Sequence, residues 1–234
     1  MFKLITFDLD HTLWTPDAAL ERATSAMHQW LINTYPQAAH YSLRDMLLVQ
    51  REIAKNQPEL SFRVSTIRVE MLRQILLQLD IPAQEATLAA QQGFQVFYQE
   101  RSKIEFYPHA LTTLAQLNKN YPLIALTNGN ADLNLIGIAH LFKIYLNAEI
   151  AGAPKPHFGM FNMALQFAKV AAPQAVHVGD SPEMDMLPAK QLGMKTVWAN
   201  YSAMTWPEDL PKPDQTITAI EQLPAALAAL EAGI

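Results

Sequence analysis

At 234 residues the chain has room for one large domain or two unequal ones, and 50% apolar against 17% charged residues excludes intrinsic disorder. The formal charge of -5 comes without any basic run, which argues against a nucleic-acid or membrane-surface partner. Cysteine is absent, so disulfides, thiolate catalysis and sulfur-ligated zinc are excluded. No apolar run has bilayer length, and the opening MFKLITFDLD reaches Asp8 too early for a signal-peptide core; the expectation is a cytoplasmic, soluble protein.

The first predicted strand covers Leu4 to Leu9. Apolar residues then recur at helical spacing over Ala18 to Asn33, Ser42 to Asn56, Val64 to Leu79 and Gln84 to Arg101, with no convincing strand among them. In the third segment Val64, Ile67, Met71, Leu72, Ile75, Leu76 and Leu79 lie on one stripe, and Trp30 falls on the stripe of the first. Short β-branched runs follow at Leu123 to Thr127, Ala148 to Ile150, Ala175 to Val178 and Thr196 to Ala199. Helix-period stretches separate or follow them at Ala131 to Phe142, Pro156 to Val170, Glu183 to Leu192 and Ile220 to Leu230. Strand alternating with helix predicts an α/β fold with a parallel sheet covered on both faces. The helical stretch predicts a second, all-helical unit inserted after the first strand, with crossings near Thr15 to Asp17 and Ser102 to Pro108.

Four polar clusters follow four of these strands: Asp8-Leu9-Asp10-His11-Thr12, Thr127-Asn128-Gly129-Asn130, Lys155-Pro156 and Gly179-Asp180-Ser181-Pro182-Glu183-Met184-Asp185. A parallel sheet gathers its strand ends along one edge, where ligands bind. Asp8, Asp10, Asp180 and Asp185 then share one crevice and call for a cation to offset their repulsion. All-oxygen ligation with few protein ligands suits Mg2+.

The order and spacing of the four clusters resemble the haloacid dehalogenase superfamily, whose phosphatase signature DxDxT reads here as Asp8 to Thr12. Thr127 matches the strand-end hydroxyl of that family, Lys155 its lysine, and Gly179 to Asp185 its acidic GDxxxxD motif. The resemblance implies a Rossmann-like core, residues 1–15 and 106–234, and a helical C1 cap, residues 16–105. It implies a Mg2+-dependent phosphatase of small phosphate esters, with Asp8 as nucleophile and Asp10 as acid and base. Thr127, Lys155 and the N–H of Asn128 would meet the phosphoryl charge; Asp8, the Asp10 carbonyl and Asp180 would hold the metal, with Asp185 alongside.

The string Ala125 to Ala131, the cap length and Trp14 resemble the bacterial branch of flavin mononucleotide and riboflavin-precursor phosphatases, and Trp14 is expected to stack on a flat leaving group. Asp10 separates this reading from the dehalogenase branch, which lacks it. A sugar-phosphate mutase or an inactive phosphate-binding module is the other alternative. Ser181 is expected to cap a helix, and His177, inside an apolar strand, to be packed and hydrogen-bonded. His109 stands where many C1-capped relatives carry glycine.

Overall fold

The computed structural model describes residues 1–233; Ile234, the last residue of the expected core, lies outside them. Six strands form one sheet: β1 (Leu4–Phe7), β2 (Leu123–Thr127), β3 (Ile144–Asn147), β4 (Ala175–Gly179), β5 (Lys195–Ala199) and β6 (Gln215–Ile217). Their order is β3-β2-β1-β4-β5-β6, and every pair is parallel. The chain winds outward from β1 through β2 and β3, then returns to the other side of β1 for β4, β5 and β6. Such a reversal opens a crevice at the carboxyl ends of β1, β2 and β4. Registers align these ends, with Phe7 beside Ala125 and Val178.

β1, β2 and β4 are buried at every position, as expected for strands covered on both faces. On one face Leu4, Ile124, Leu126 and Leu146 pack against Met160, Phe161 and Ala164.

Helices α1 (Asp17–Thr34), α2 (Leu43–Asn56), α3 (Val64–Gln78) and α4 (Ala83–Arg101) follow β1. They form a compact unit of their own, residues 16–104 joined by 130–135, while residues 1–15, 105–129 and 136 onward form the α/β unit. Within the helical unit Met27, Leu31, Ile67, Met71, Leu72, Ile75, Phe94 and Phe97 build the core, and Trp30 packs against it half-buried. Gly93 admits that ring, since a Cβ there would meet Trp30 Cζ3 at 2.4 Å. Ser42 starts α2 with a reciprocal capping pair to Asp45. The short segment 130–135 belongs with the helices, tied by Asn130 Nδ2 donating to Ser65 Oγ at 3.2 Å. Sequence pattern alone had placed it in the core.

The α/β unit adds α5 (Ala110–Leu117), then α6 (Leu133–Ile136) leads back from the helical unit. α7 (Ala148–Ala151), α8 (Gly159–Ala168), α9 (Leu187–Gln191) and α10 (Leu223–Ala232) complete the set. Two expectations need correction. Ala148 to Ile150 is helix, because the Asn147 side chain accepts the Ile150 N–H at 2.8 Å and ends the strand before it. The stretch from Ala131 to Phe142 is no single helix, since Gly137 turns at φ 89° between α6 and a short 3-10 turn at Ala139–Leu141. No described helix is long and apolar enough to cross a membrane.

Candidate active site

Asp8 follows β1 directly, and its N–H continues the ladder to Val178 O at 2.8 Å, so its side chain emerges at the sheet edge. The next residues fold into a tight loop: Leu13 N–H donates to Leu9 O at 2.8 Å and His11 N–H to Trp14 O at 2.7 Å, with His11 left-handed at φ 61°. Trp14 is fully buried, edge-on to Phe106 at 5.6 Å, and its indole N–H donates to Asp10 Oδ1 at 2.7 Å. The expected stacking of Trp14 on a leaving group is therefore corrected. A ring with no exposed face holds Asp10 instead.

From β2, Thr127 Oγ1 accepts the Gly129 N–H at 2.9 Å, and a Cβ at Gly129 would lie 2.7 Å from Asp10 Oδ2. Glycine is needed there because the Asp10 carboxylate occupies that space. Asn128 works through its side chain: Oδ1 accepts the Lys155 N–H at 2.7 Å and Nδ2 donates to Lys155 O at 3.0 Å. That pair of bonds fixes the lysine backbone.

Lys155 Nζ donates to Asp8 Oδ1 and Asp185 Oδ1, each at 2.5 Å, and to Leu126 O at 3.1 Å, with all three side chains buried. Asp185 comes from one wide helical turn, Pro182–Met186, in which Met186 N–H reaches back to Ser181 O at 3.2 Å. Ser181 caps this turn as expected, its Oγ accepting the Met184 N–H at 3.1 Å. Asp185 Oδ2 also accepts the Ser181 N–H at 3.1 Å. Gly179 gives Asp185 its place, since a Cβ there would meet Asp185 Cγ at 2.5 Å.

Asp8, Asp180 and Asp185 each present a carboxylate oxygen within 4.8 Å of the others, a set able to hold a metal ion. The side chain of Asp10 lies with Trp14 and outside that triad. Thr12 Oγ1 stands 3.4 Å from Asp8 Oδ2 and 3.5 Å from Asp180 Oδ1, between two of the acids.

The electrostatics follow from burial. Desolvation, aided by Asp185 and Asp180 and opposed by Lys155, holds the Asp8 carboxyl well above the usual carboxylate range. Burial and the Asp185 charge push Asp180 up to about 6. Asp185 goes the other way: burial works against its charge, but Lys155 and the His177 hydrogen bond outweigh it. Lys155 is likewise held above its ordinary value by Asp185 and Asp8 despite burial.

His177 has a part here that its place in an apolar strand did not disclose. As expected it is packed, edge-on to Phe161, and burial keeps it neutral. Its two nitrogens join Thr6 Oγ1 at 2.8 Å to Asp185 Oδ1 at 3.1 Å, so a β4 histidine orients the carboxylate beside Lys155. Its alternation with Val176 and Val178, all inside a buried strand, gave no sign of which face Asp185 would meet.

The model of the haloacid dehalogenase-like hydrolases matches residues 2–193. The chain belongs to that family. It is 30% identical over 194 residues to the 5-amino-6-(5-phospho-D-ribitylamino)uracil phosphatase YigB of Escherichia coli, covering 83% of this chain and 82% of that one. A glyceraldehyde 3-phosphate phosphatase of Pyrococcus abyssi is 27% identical, covering 86% and 82%. Among solved structures, one titled 2-haloacid dehalogenase from Pseudomonas syringae pv. Tomato superposes with a TM-score of 0.94 at 36% identity, covering 98% and 99%. Family membership makes this chain a hydrolase, and the six-stranded parallel sheet is the family fold.

Proposed function

We propose that this hydrolase is a Mg2+-dependent phosphomonoesterase of small metabolites that forms an aspartyl-phosphate on Asp8. The observation that carries the reading is the different setting of two aspartates two residues apart. Asp8 shares Lys155 with Asp185 inside the acidic triad, whereas Asp10 is held away from it by Trp14. Two carboxyls in unlike environments divide into nucleophile and acid–base.

An oxygen of Asp8 attacks phosphorus as the ester P–O bond breaks, and Asp10 gives its proton to the departing oxygen. Asp10 then takes a proton from the water that attacks the aspartyl-phosphate, releasing phosphate and restoring Asp8. Lys155 and the Thr127 hydroxyl meet the charge on the phosphoryl oxygens, and Asn128 keeps Lys155 in place.

The triad fits Mg2+: three hard oxygen donors converge, and burial together with the charge of Asp185 raises the pKa of the other two, Asp8 and Asp180. Bound by Asp8 and Asp180, with the Asp10 carbonyl and Asp185 alongside, the ion would supply positive charge at the transferring phosphoryl group. The phosphatase names of the relatives support the reaction class, and the YigB relative supports a riboflavin-precursor phosphate as substrate.

The dehalogenase title of one structural relative supports a second reading. Asp10 stands against it, because a carboxyl poised to protonate a leaving oxygen has no task when halide departs. Release of phosphate from 4-nitrophenyl phosphate with Mg2+, its loss in Asp8→Asn, and no halide from 2-chloropropionate are the expected results. Halide release without phosphatase activity would overturn the assignment.

A further inference from the structure

Within the helical unit two arginines come together. Arg68 on α3 lays its guanidinium over the ring of Phe97 on α4, 4.4 Å from the centroid, and Arg101 ends α4 one turn beyond Phe97 on the same buried face. We propose that Arg68 and Arg101 form a second anion site of the enzyme, which takes an oxyanion of the ester: its phosphoryl group, or a carboxylate elsewhere on the molecule. The inference rests on the phosphatase reading and adds to it two residues and the chemistry they select.

The shape of the Arg68 fork is the first argument. Nη1 donates to Val64 O at 2.7 Å, and with the Phe97 ring this bond fixes the plane of the guanidinium. It is the one hydrogen bond of Arg68 among the described residues, so the Nε–Nη2 edge is left to a ligand. That edge meets two oxygens of a carboxylate or phosphate side by side. Arg73, on the same helix, shows it filled: Nε and Nη2 donate to the two oxygens of Glu70, each at 2.7 Å.

Charge is the second. Burial, and then the like charge of Arg101, bring Arg68 down to about 10, so it remains a cation at neutral pH. No carboxylate of the described residues pairs with it. A desolvated cation beside a like charge is costly until an anion reaches it, and Arg68 is only half-buried, so an anion can.

Connectivity is the third. Ser65, one turn before Arg68 on α3, accepts the Asn130 Nδ2 bond at 3.2 Å. Asn130 directly follows Gly129, the residue packed against the Asp10 carboxylate. The chain thus runs from the loop that carries Thr127 straight into the turn of α3 that presents Arg68.

The test compares wild type with Arg68→Met, which keeps the packing on Phe97 and removes the fork. With Mg2+, loss of a charge-assisted hydrogen bond predicts kcat/KM lowered about ten- to hundredfold. Loss on 3-phosphoglycerate with glycerol 1-phosphate unaffected assigns the site to a carboxylate of the ester; equal loss on both assigns it to the phosphoryl group. Unchanged kcat/KM on both would overturn the site while leaving the phosphatase intact. A readout free of turnover is the rise of Tm with sulfate in chelator, with Arg73→Met as the control for general salt effects. Arg68→Met should lose about half of that rise or more, and a rise equal to that of the control would overturn the site. Without sulfate, Arg68→Met should melt no lower than wild type, because an apolar side chain of similar length replaces a cation beside a like charge. A merely structural arginine would instead lower Tm and leave the sulfate response intact. If Arg68→Met does not fold, Arg68→Lys keeps the charge without the fork and must still lower kcat/KM severalfold. If no ester is hydrolysed the phosphatase reading fails, and the sulfate response then decides the anion site alone.

Discussion

The Trp14 indole nitrogen lies 2.7 Å from Asp10 Oδ1, so the residue four positions after the carboxyl fixes where that carboxyl points. Gly129 leaves room for the other oxygen, and between them the carboxyl has one position. Trp14→Phe keeps the aromatic contact with Phe106 but removes the donor. The rate on an alkyl phosphate, whose departing oxygen needs a proton, should fall about tenfold, a part of the roughly 10²- to 10⁴-fold that general acid–base assistance supplies. An aryl phosphate with a good leaving group should lose much less. Comparing kcat on the two esters checks this, and similar losses on planar and aliphatic alkyl esters would agree with a ring that touches no substrate.

Among the described residues Lys155 is the cation that bridges Asp8 and Asp185, and all three are buried. Replacing it with Met leaves the acids facing each other without an ammonium. Removing one partner of a buried ion pair costs about 3–5 kcal/mol, which for a chain of this size lowers Tm by roughly 6–20 °C. Activity should vanish. Mg2+ should raise the Tm of Lys155→Met more than that of wild type, because the ion would then be the one positive charge left to offset the triad. Melting curves in chelator and in Mg2+ measure both effects.

The architecture was legible where local pattern and tertiary role agree. All four helices of the inserted unit lie within a residue or two of their predicted ends, since each has an amphipathic stripe and a unit core to bury it in. The strands carrying Asp8, Thr127 and Asp180 could be read because buried parallel strands are continuous apolar runs ending in polar residues. β6 could not: Gln215, Thr216 and Ile217 carry one buried apolar residue, and their pairing is set by β5. In the site, motif order brought Asp8, Lys155, Asp180 and Asp185 together. Side-chain direction lay outside its reach, so Trp14 was expected to face a ligand, and the hold of His177 on Asp185 depends on a turn 8 residues away.

Asp214 ties the far edge of the sheet. Its carboxylate accepts the Thr196 N–H at 3.0 Å, the Thr196 hydroxyl at 2.8 Å and the Lys190 ammonium at 3.0 Å, joining the approach to β6 to β5. Burial works against its charge, yet these donors hold its carboxyl below the ordinary value. With its folded pKa depressed, the native state binds fewer protons than the unfolded chain near that pH. The stabilisation is then complete above the unfolded value of about 3.9 and is lost as pH falls through the folded one. Asp214→Ala should cost about 1–3 kcal/mol at pH 7, because the Thr196 N–H loses its partner. The gap from wild type should narrow below about pH 3.5 in urea titrations run at both pH values.

His109 opens α5 from a left-handed backbone at φ 64°, and its carbonyl accepts the Thr113 N–H at 2.9 Å. The conformation accounts for the glycine that many C1-capped relatives carry there, since a side chain in this region costs about 1–2 kcal/mol. Glycine relieves that strain but loses about 0.5–1 kcal/mol of backbone entropy on folding. His109→Gly should therefore leave stability unchanged or raise it by up to about 1.5 kcal/mol. His109→Val should lower it by more than about 1 kcal/mol, because a β-branched side chain fits the left-handed region worst. Both variants keep the helix-starting carbonyl and stay clear of the acidic triad, so kcat on 4-nitrophenyl phosphate should match wild type. Chemical denaturation separates the two, and equal stability for Gly and Val would show that the backbone at His109 relaxes out of the left-handed region.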